Sequence, residues 1–187
     1  MRRLFLIAGL MTALGLAVVA ASAFAPANFA GTWSLDKAKS QGLSQRMQNA
    51  ESVIWTITQD DKTISIDSKV TAGQPPAGGG GGGGGGGMGG GQRGGPTGPT
   101  VYNLDGKDST SDVTFGQNTG KATSKATWSS NTLELSRKTT FQGPNGEVTN
   151  STDQKLSLSG DGKVLTAVTH SESPRGPQDS TLVFNKQ

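Results

Sequence analysis

The chain contains no cysteine and only one histidine among its 187 residues. Without cysteine it has no disulfide, no thiolate metal ligand and no lipid-modified N-terminal cysteine. A single imidazole excludes a metal centre built from several histidines. A serine–histidine–acid triad would have to use His170, and no Gly-x-Ser-x-Gly turn is available to hold its nucleophile. We therefore predict a non-enzymatic protein with no metal and no cofactor, in which His170 is an exposed residue near a strand end.

Excess charge is also small once the N-terminus is set aside. Residues 1–23 have the features of a signal peptide: two arginines, an apolar run over residues 4–20 and a small-x-small pattern at residues 21–23. An uncleaved membrane anchor is the alternative, but the run is shorter than the roughly 20 apolar residues of a comfortable span. No basic stop-transfer cluster follows it.

Cleavage before Phe24 leaves fifteen Lys and Arg residues against fourteen Asp and Glu residues, a net charge of +1. No cluster of Lys and Arg survives in the remaining chain, which argues against a nucleic-acid partner. The sequence thus predicts an exported protein, periplasmic or extracellular, with no stable membrane insertion after cleavage. It does not determine the oligomeric state.

Residues 73–98 lack side chains that could form a core. Glycine occupies every position from 78 to 87, with prolines and further glycines on both sides. Such a segment loses much backbone entropy on folding and gains little burial, so we predict a disordered loop inserted into a single domain spanning residues 24–187. A Walker phosphate-binding loop is excluded because Gly-Lys-Ser/Thr is missing. The insertion is either a flexible expansion of a surface loop or an adhesive segment that contacts the cell envelope or partners.

Most of the remaining chain predicts short β-strands. Polar and apolar residues alternate with a period of two, as over residues 121–128, where Ala122, Ser124, Ala126 and Trp128 share one face. Turn sequences rich in Gly, Asn and Asp separate the segments. This spacing is typical of an antiparallel meander.

A meander of eight or more strands twists and tends to close on itself. We therefore predict an all-β fold, an antiparallel up-and-down β-barrel of about eight to ten strands. A β-sandwich is the alternative. The one helical candidate is the short, polar segment of residues 40–50.

The start of the predicted mature chain carries a family resemblance. Positions 28–36, Asn-Phe-Ala-Gly-Thr-Trp-Ser-Leu-Asp, resemble the opening of the lipocalin-like (calycin-type) proteins that many bacteria export, in which Gly-x-Trp begins the first strand. The stretch 156–166 and the final strand 182–186 are similar to that bacterial group as well. The resemblance implies a bacterial β-barrel in which Gly31 lets the chain bend at the closed end and Trp33 plugs that end.

One residue departs from the lipocalin pattern. Lipocalins usually cover this tryptophan with an arginine from the last strand. Here that strand offers Lys186, and Arg175 lies in the loop before it. The barrel prediction rests on the strand pattern and is independent of this departure.

The alternation also predicts polar residues inside the barrel. If the leucines of residues 133–135 point inward, Arg137 and Thr139 share their face, and by the same parity Asn150 and Gln154 point inward from the next strand. An apolar interior with a few convergent polar groups is typical of a small-molecule pocket. A buried arginine needs an anionic ligand, an internal carboxylate or an open barrel mouth, because its charge is unfavourable away from water.

We predict that these four polar residues anchor the polar end of a small amphiphilic or hydrophobic ligand, with Trp55 and Trp128 also lining the interior. For Arg137, the alternative is a position at the barrel rim with its head group in water. For the whole protein, the alternative is a structural or interaction protein of the cell envelope. Its barrel would be filled, and it would work through its outer surface or its glycine-rich loop.

Overall fold

The computed structural model describes residues 26–73, 98–115, 118–143 and 146–187. The predicted signal peptide and all but the two end residues of the predicted glycine-rich insertion lie outside these ranges. Within the described ranges the chain forms ten β-strands and one short helix, and no helix there is long and apolar enough to cross a membrane. The elements are β1 (Gly31–Leu35), α1 (Gln45–Gln48), β2 (Ala50–Gln59), β3 (Thr63–Ala72), β4 (Thr100–Asn103), β5 (Ser109–Phe115), β6 (Asn118–Ser129), β7 (Thr132–Gly143), β8 (Gly146–Leu158), β9 (Val164–Glu172) and β10 (Gln178–Lys186).

All ten strands belong to one antiparallel sheet with the order β4-β3-β2-β1-β10-β9-β8-β7-β6-β5. Each strand pairs with its neighbours in sequence except at β4 and β5, and β1 pairs with β10. The two ends of this order are consecutive strands of the chain, and β4 also approaches β6. The sheet therefore curls into a nearly closed barrel. The prediction of an all-β, up-and-down barrel is confirmed, with ten strands rather than a two-layered sandwich.

The period-two alternation separates the inner face from the outer face. Ala122 and Ala126 of β6 are buried, whereas Lys121, the residue before Ala122 on the same strand, is exposed. Ala126 pairs with Leu135 of β7, which is buried too. Because directly opposed residues of paired strands point to the same face, the inward direction set on one strand passes to the next around the barrel.

Large apolar side chains fill the end of the barrel where β1 begins and β10 ends. Trp33, Phe29 and Phe184 are fully buried there. The Trp33 Nε1 donates a hydrogen bond to the Phe29 carbonyl at 2.9 Å, and the Lys186 Nζ lies 5.3 Å from the centroid of the Trp33 ring, within the range of a cation–π contact. Lys186 of the last strand thus covers the Trp33 ring.

Gly31 is the first residue of β1, two positions before this tryptophan. Its φ is +146°, a backbone conformation that side-chain-bearing residues rarely adopt. A Cβ at this position would also lie only 3.0 Å from the Lys186 Cε. Both observations account for glycine at the start of the first strand.

The helix is much shorter than the sequence predicted. It spans only α1, with the Ser44 hydroxyl accepting a hydrogen bond from the Met47 N–H. Before it, Gln41 forms two backbone hydrogen bonds with Thr181 of β10, of 2.8 and 3.0 Å. After it, Ala50 already belongs to β2. The prediction of a helix over residues 40–50 is therefore wrong in extent, because the residues at both ends of the segment form hydrogen bonds with strands instead.

Candidate ligand site at the opening between β4 and β5

Arg137 lies on the inner face of β7. Its cross-strand partners are Ser124 on β6 and Thr152 on β8. The residues two positions away, Leu135 and Thr139, are buried. Because residues two apart in a strand share a face, the guanidinium is directed into the barrel, as the alternation predicted.

The hydroxyl of Tyr102 meets this guanidinium. Tyr102 is buried on the inner face of β4, opposite the fully buried Ile64. Burial raises the pKa of Tyr102 above its ordinary value of 10.0, and the charge of Arg137 together with a hydrogen bond from it offsets part of this rise. The phenol is therefore neutral at physiological pH. Its oxygen accepts from Arg137 while its O–H can still donate to a further acceptor.

Arg137 has no acidic partner among the described residues. Glu134, on the same strand, faces outward and pairs with Lys155 at 2.8 Å. Asp153 on β8 also faces outward, opposite His170. A guanidinium withdrawn from water is unfavourable unless its charge is compensated, and the Tyr102 hydroxyl is neutral. Of the three ways to accommodate an inward arginine, an anionic ligand and an opening to water are left.

An opening is present at the side of the barrel. Arg137 lines a cleft of about 480 Å³ between β4 and β5. These are the two end strands of the sheet order, and they do not pair with each other. Most of the side chains that line it carry hydroxyl, amide or charged groups. The lining comprises Pro99, Val101, Asn103, Ser109, Thr110, Ser111, Asp112, Val113, Thr114 and Arg137. An arginine on the inner face of β7 therefore borders a polar cleft at the open edge of the sheet.

The other polar residues of the predicted site lie on the same inner face. Thr139 is buried and pairs with Asn150 across the β7–β8 ladder. Gln154 is partly buried and donates a hydrogen bond from its Nε2 to the Thr169 Oγ1 at 2.9 Å. The structure thus groups these three residues on adjacent strands, but of the predicted site residues only Arg137 borders the cleft. Their contact with a ligand stays a prediction.

The two tryptophans of the predicted site belong to the packed part of the interior. The Trp128 ring stacks on Phe29 with 6.0 Å between ring centroids. The Trp55 ring lies 4.4 Å from that of Phe184. Trp55 is buried, and within the described structure its Nε1 has no hydrogen-bond partner. A buried tryptophan Nε1 usually has a hydrogen-bond partner, and Trp55 departs from this rule.

Sequence reasoning missed Tyr102 and the cleft. Tyr102 is the only tyrosine of the chain and lies in a segment that reads as a strand. A tyrosine on the buried face of a strand usually needs a hydrogen-bond partner, and this was the available signal. The cleft had no comparable signal, because closure of the barrel decides whether β4 and β5 pair.

A second cavity lies on the outer surface and is unrelated to Arg137. It has a volume of about 430 Å³, and its lining includes Gln41, Val168, His170 and Asp179. In the part of the chain that the structure describes, no group of three or more His, Asp or Glu side chains could hold a metal ion.

No protein-family model matches the chain, and no curated protein sequence matches it. Among solved structures, the chain is similar to zebrafish ileal bile acid-binding protein complexed with cholic acid. The TM-score is 0.44 and the identity 13%, and the match covers 85% of this chain and 98% of the zebrafish chain. At this identity and TM-score, the likeness determines neither the family nor the ligand of the chain.

Proposed function

We propose that this chain is an exported, non-enzymatic binding protein for a small amphiphilic molecule with an anionic group. The anion is held inside the barrel by the Arg137 guanidinium and the Tyr102 hydroxyl. The observation that carries this proposal is an inward arginine with a neutral hydrogen-bonding partner and no ion pair to any carboxylate among the described residues. A bound anion neutralises the guanidinium charge and accepts hydrogen bonds from both groups.

Arg137 and Tyr102 lie next to apolar side chains of the core, which supports an amphiphilic ligand. Partly buried apolar side chains pack against the core next to these groups, among them Ile66 and Val70 of β3. Convergent polar groups within apolar surroundings are typical of small-molecule sites.

The proposal is tested by replacing Arg137 with Met, which keeps much of the side-chain length and removes the charge. We expect the affinity for a dansyl-labelled fatty acid to fall by about tenfold or more, because a hydrogen-bonded charge pair contributes roughly 1.5–3 kcal/mol. The Tyr102→Phe variant should weaken the same probe to a smaller degree. Fluorescence titration of the purified mature protein measures both changes.

Arg175→Met is the matched control, since Arg175 is exposed in the loop between β9 and β10. It should bind the probe like the wild type. Equal affinity of the wild type and the Arg137→Met variant would contradict the anchor. A wild type that does not bind the labelled acid would contradict the binding function as a whole.

Export is supported by the sequence features of residues 1–23, which are a basic start, an apolar run and a small-x-small site. Intact mass measurement of protein produced from the full chain tests it, because cleavage before Phe24 removes a defined mass. Native mass spectrometry of the same material also shows whether a small molecule co-purifies.

A structural or interaction role is the second candidate, and the packed end of the barrel favours it. Trp33, Phe29, Leu133 and Leu165 are fully buried and fill that region with side chains. In this role, the outer cavity beside Val168 is the working surface. Native mass spectra without any bound small molecule, together with no binding of the labelled acid, would favour this second candidate.

A further inference from the structure

The cleft between β4 and β5 continues beyond the guanidinium of Arg137 toward solvent. Val101 and Asn103 alternate with the inward Tyr102 on β4, so they lie on its outer side. On β5, Ser109 and Ser111 pair with Ser124 and Ala122 of β6 and share the inner side. Inner and outer residues both line the cleft. The cleft therefore lies along the open edge of the sheet, where its two faces meet, and extends inward as far as Arg137.

The chemistry of the lining changes along this path. Inside the barrel, Arg137 and the Tyr102 hydroxyl provide positive charge and hydrogen-bond donors. The walls outside them carry mainly hydroxyl and amide groups, which donate and accept hydrogen bonds without a net charge. Asp112, the one carboxylate of the lining, is paired with Lys121 at 2.9 Å and is exposed. A neutral polar group fits this region better than a second anion or an alkyl chain.

We infer that the cleft is a head-group subsite. It takes a hydroxyl- or amide-bearing substituent attached to the far side of the anion that Arg137 holds. The ligand class is an amphiphile whose anionic group is internal, such as a phosphodiester between an acyl chain and a polyol. The apolar part lies in the barrel, the phosphodiester contacts Arg137 and Tyr102, and the polyol lies between β4 and β5. This inference rests on the proposed binding function and adds the head-group chemistry to it.

The volume of the cleft supports this assignment. The cleft volume of about 480 Å³ lies within the range of about 300–1,000 Å³ of small-molecule sites. A terminal phosphate or carboxylate at Arg137 would leave that volume to water. Only a ligand that continues past its anion uses the hydroxyl-rich walls.

Two lysophospholipids with the same acyl chain test the inference. Lysophosphatidic acid ends at its phosphate, whereas lysophosphatidylglycerol carries a glycerol beyond a phosphodiester. Their equilibrium affinities are measured by displacement of a dansyl-labelled fatty acid. The cleft is then filled by a Val101→Cys substitution labelled with N-phenylmaleimide. The chain has no other cysteine, so the label has a single attachment point.

Val168→Cys with the same label is the matched control. Val101 and Val168 are 50% and 48% exposed, but Val168 lies on β9, in the middle of the sheet order and away from its two ends. We expect the label at position 101 to weaken lysophosphatidylglycerol by about tenfold or more. It should leave lysophosphatidic acid within about twofold of the unlabelled variant. The label at position 168 should change neither affinity.

A Ser111→Phe variant fills the cleft from the β5 side and should show the same selective loss. Equal weakening of both lipids, or no change in either, would overturn the head-group subsite while leaving the binding function intact. If neither lipid displaces the labelled acid from the wild type, the head-group subsite fails. If the wild type also fails to bind the labelled acid, the proposed function fails with it.

Discussion

On the outer face of the barrel, His170 lies between two carboxylates. Its Nδ1 is 2.6 Å from the Asp179 Oδ1, and its Nε2 is 3.6 Å from the Glu172 Oε1. The side chain is about half exposed, and His170 lies two residues before the end of β9, as the sequence predicted. The hydrogen bond to Asp179 raises the pKa of His170 above its ordinary value of 6.5, and the charges of Asp179 and Glu172 act in the same direction. The protonated imidazole is therefore favoured by folding.

This raised pKa has a defined effect on stability. The stabilisation is fully present below pH 6.5, the ordinary value, and it is lost as the pH rises through the higher folded-state pKa. The loss should be small because solvent screens an exposed pair. An Asp179→Asn substitution should return the pKa of His170 toward its ordinary value, and Glu172→Gln should lower it less because that contact is longer. His170 is the only histidine, so its NMR ring signal reports the titration directly, and an unchanged pKa in Asp179→Asn would contradict the pairing.

Among the elements, regular alternation predicted the long strands well. Ala122, Ala126 and Leu135 are buried as the period of two required, because sheet pairing and burial act in the same direction there. The segment between β1 and β2 was harder to predict. Its polar sequence suits a helix, but contacts with β10, distant in sequence, decide its course. The alternation within β7 predicts the inward position of Arg137. Its contact with Tyr102 cannot be predicted in this way, because it depends on how β4 and β7 come together when the barrel closes.

The close approach of this segment to β10 depends on Gly42. Its φ is +66°, and a Cβ there would lie 2.2 Å from the Asp179 carbonyl oxygen and 2.9 Å from the Ser180 Cα. A Gly42→Ala substitution should therefore lower the free energy of unfolding by about 1–3 kcal/mol, measured by urea denaturation. Gly160→Ala is the matched control, because a Cβ at Gly160 meets nothing within 4 Å. Equal stability of the two variants would show that the segment does not need its glycine.

Across the whole molecule, the residues that stabilise the fold and those of the proposed ligand site lie in different parts of the barrel. The end around Trp33 is filled with buried apolar side chains, which supply the burial that a chain without disulfides needs. The opening between β4 and β5 interrupts the sheet and exposes Arg137 to a polar cleft. Such an opening leaves the facing edges of β4 and β5 unpaired, and an unpaired strand edge is a site at which another chain can add to the sheet.

Two substitutions should separate these parts. Leu165→Ala removes a fully buried side chain opposite Phe184 and should lower the free energy of unfolding by about 2–5 kcal/mol. It should lower the affinity for the labelled fatty acid much less than Arg137→Met does, because Leu165 belongs to the packed end beside Phe184 and not to the proposed anion site at Arg137. Arg137→Met should do the reverse. Stability should change little because Arg137 is only partly buried beside the cleft and its described polar partner is the neutral Tyr102, whereas binding should lose its proposed anchor. Urea denaturation and fluorescence titration of both variants check this, and an equal loss of affinity in both would mean that the packed end also holds the ligand.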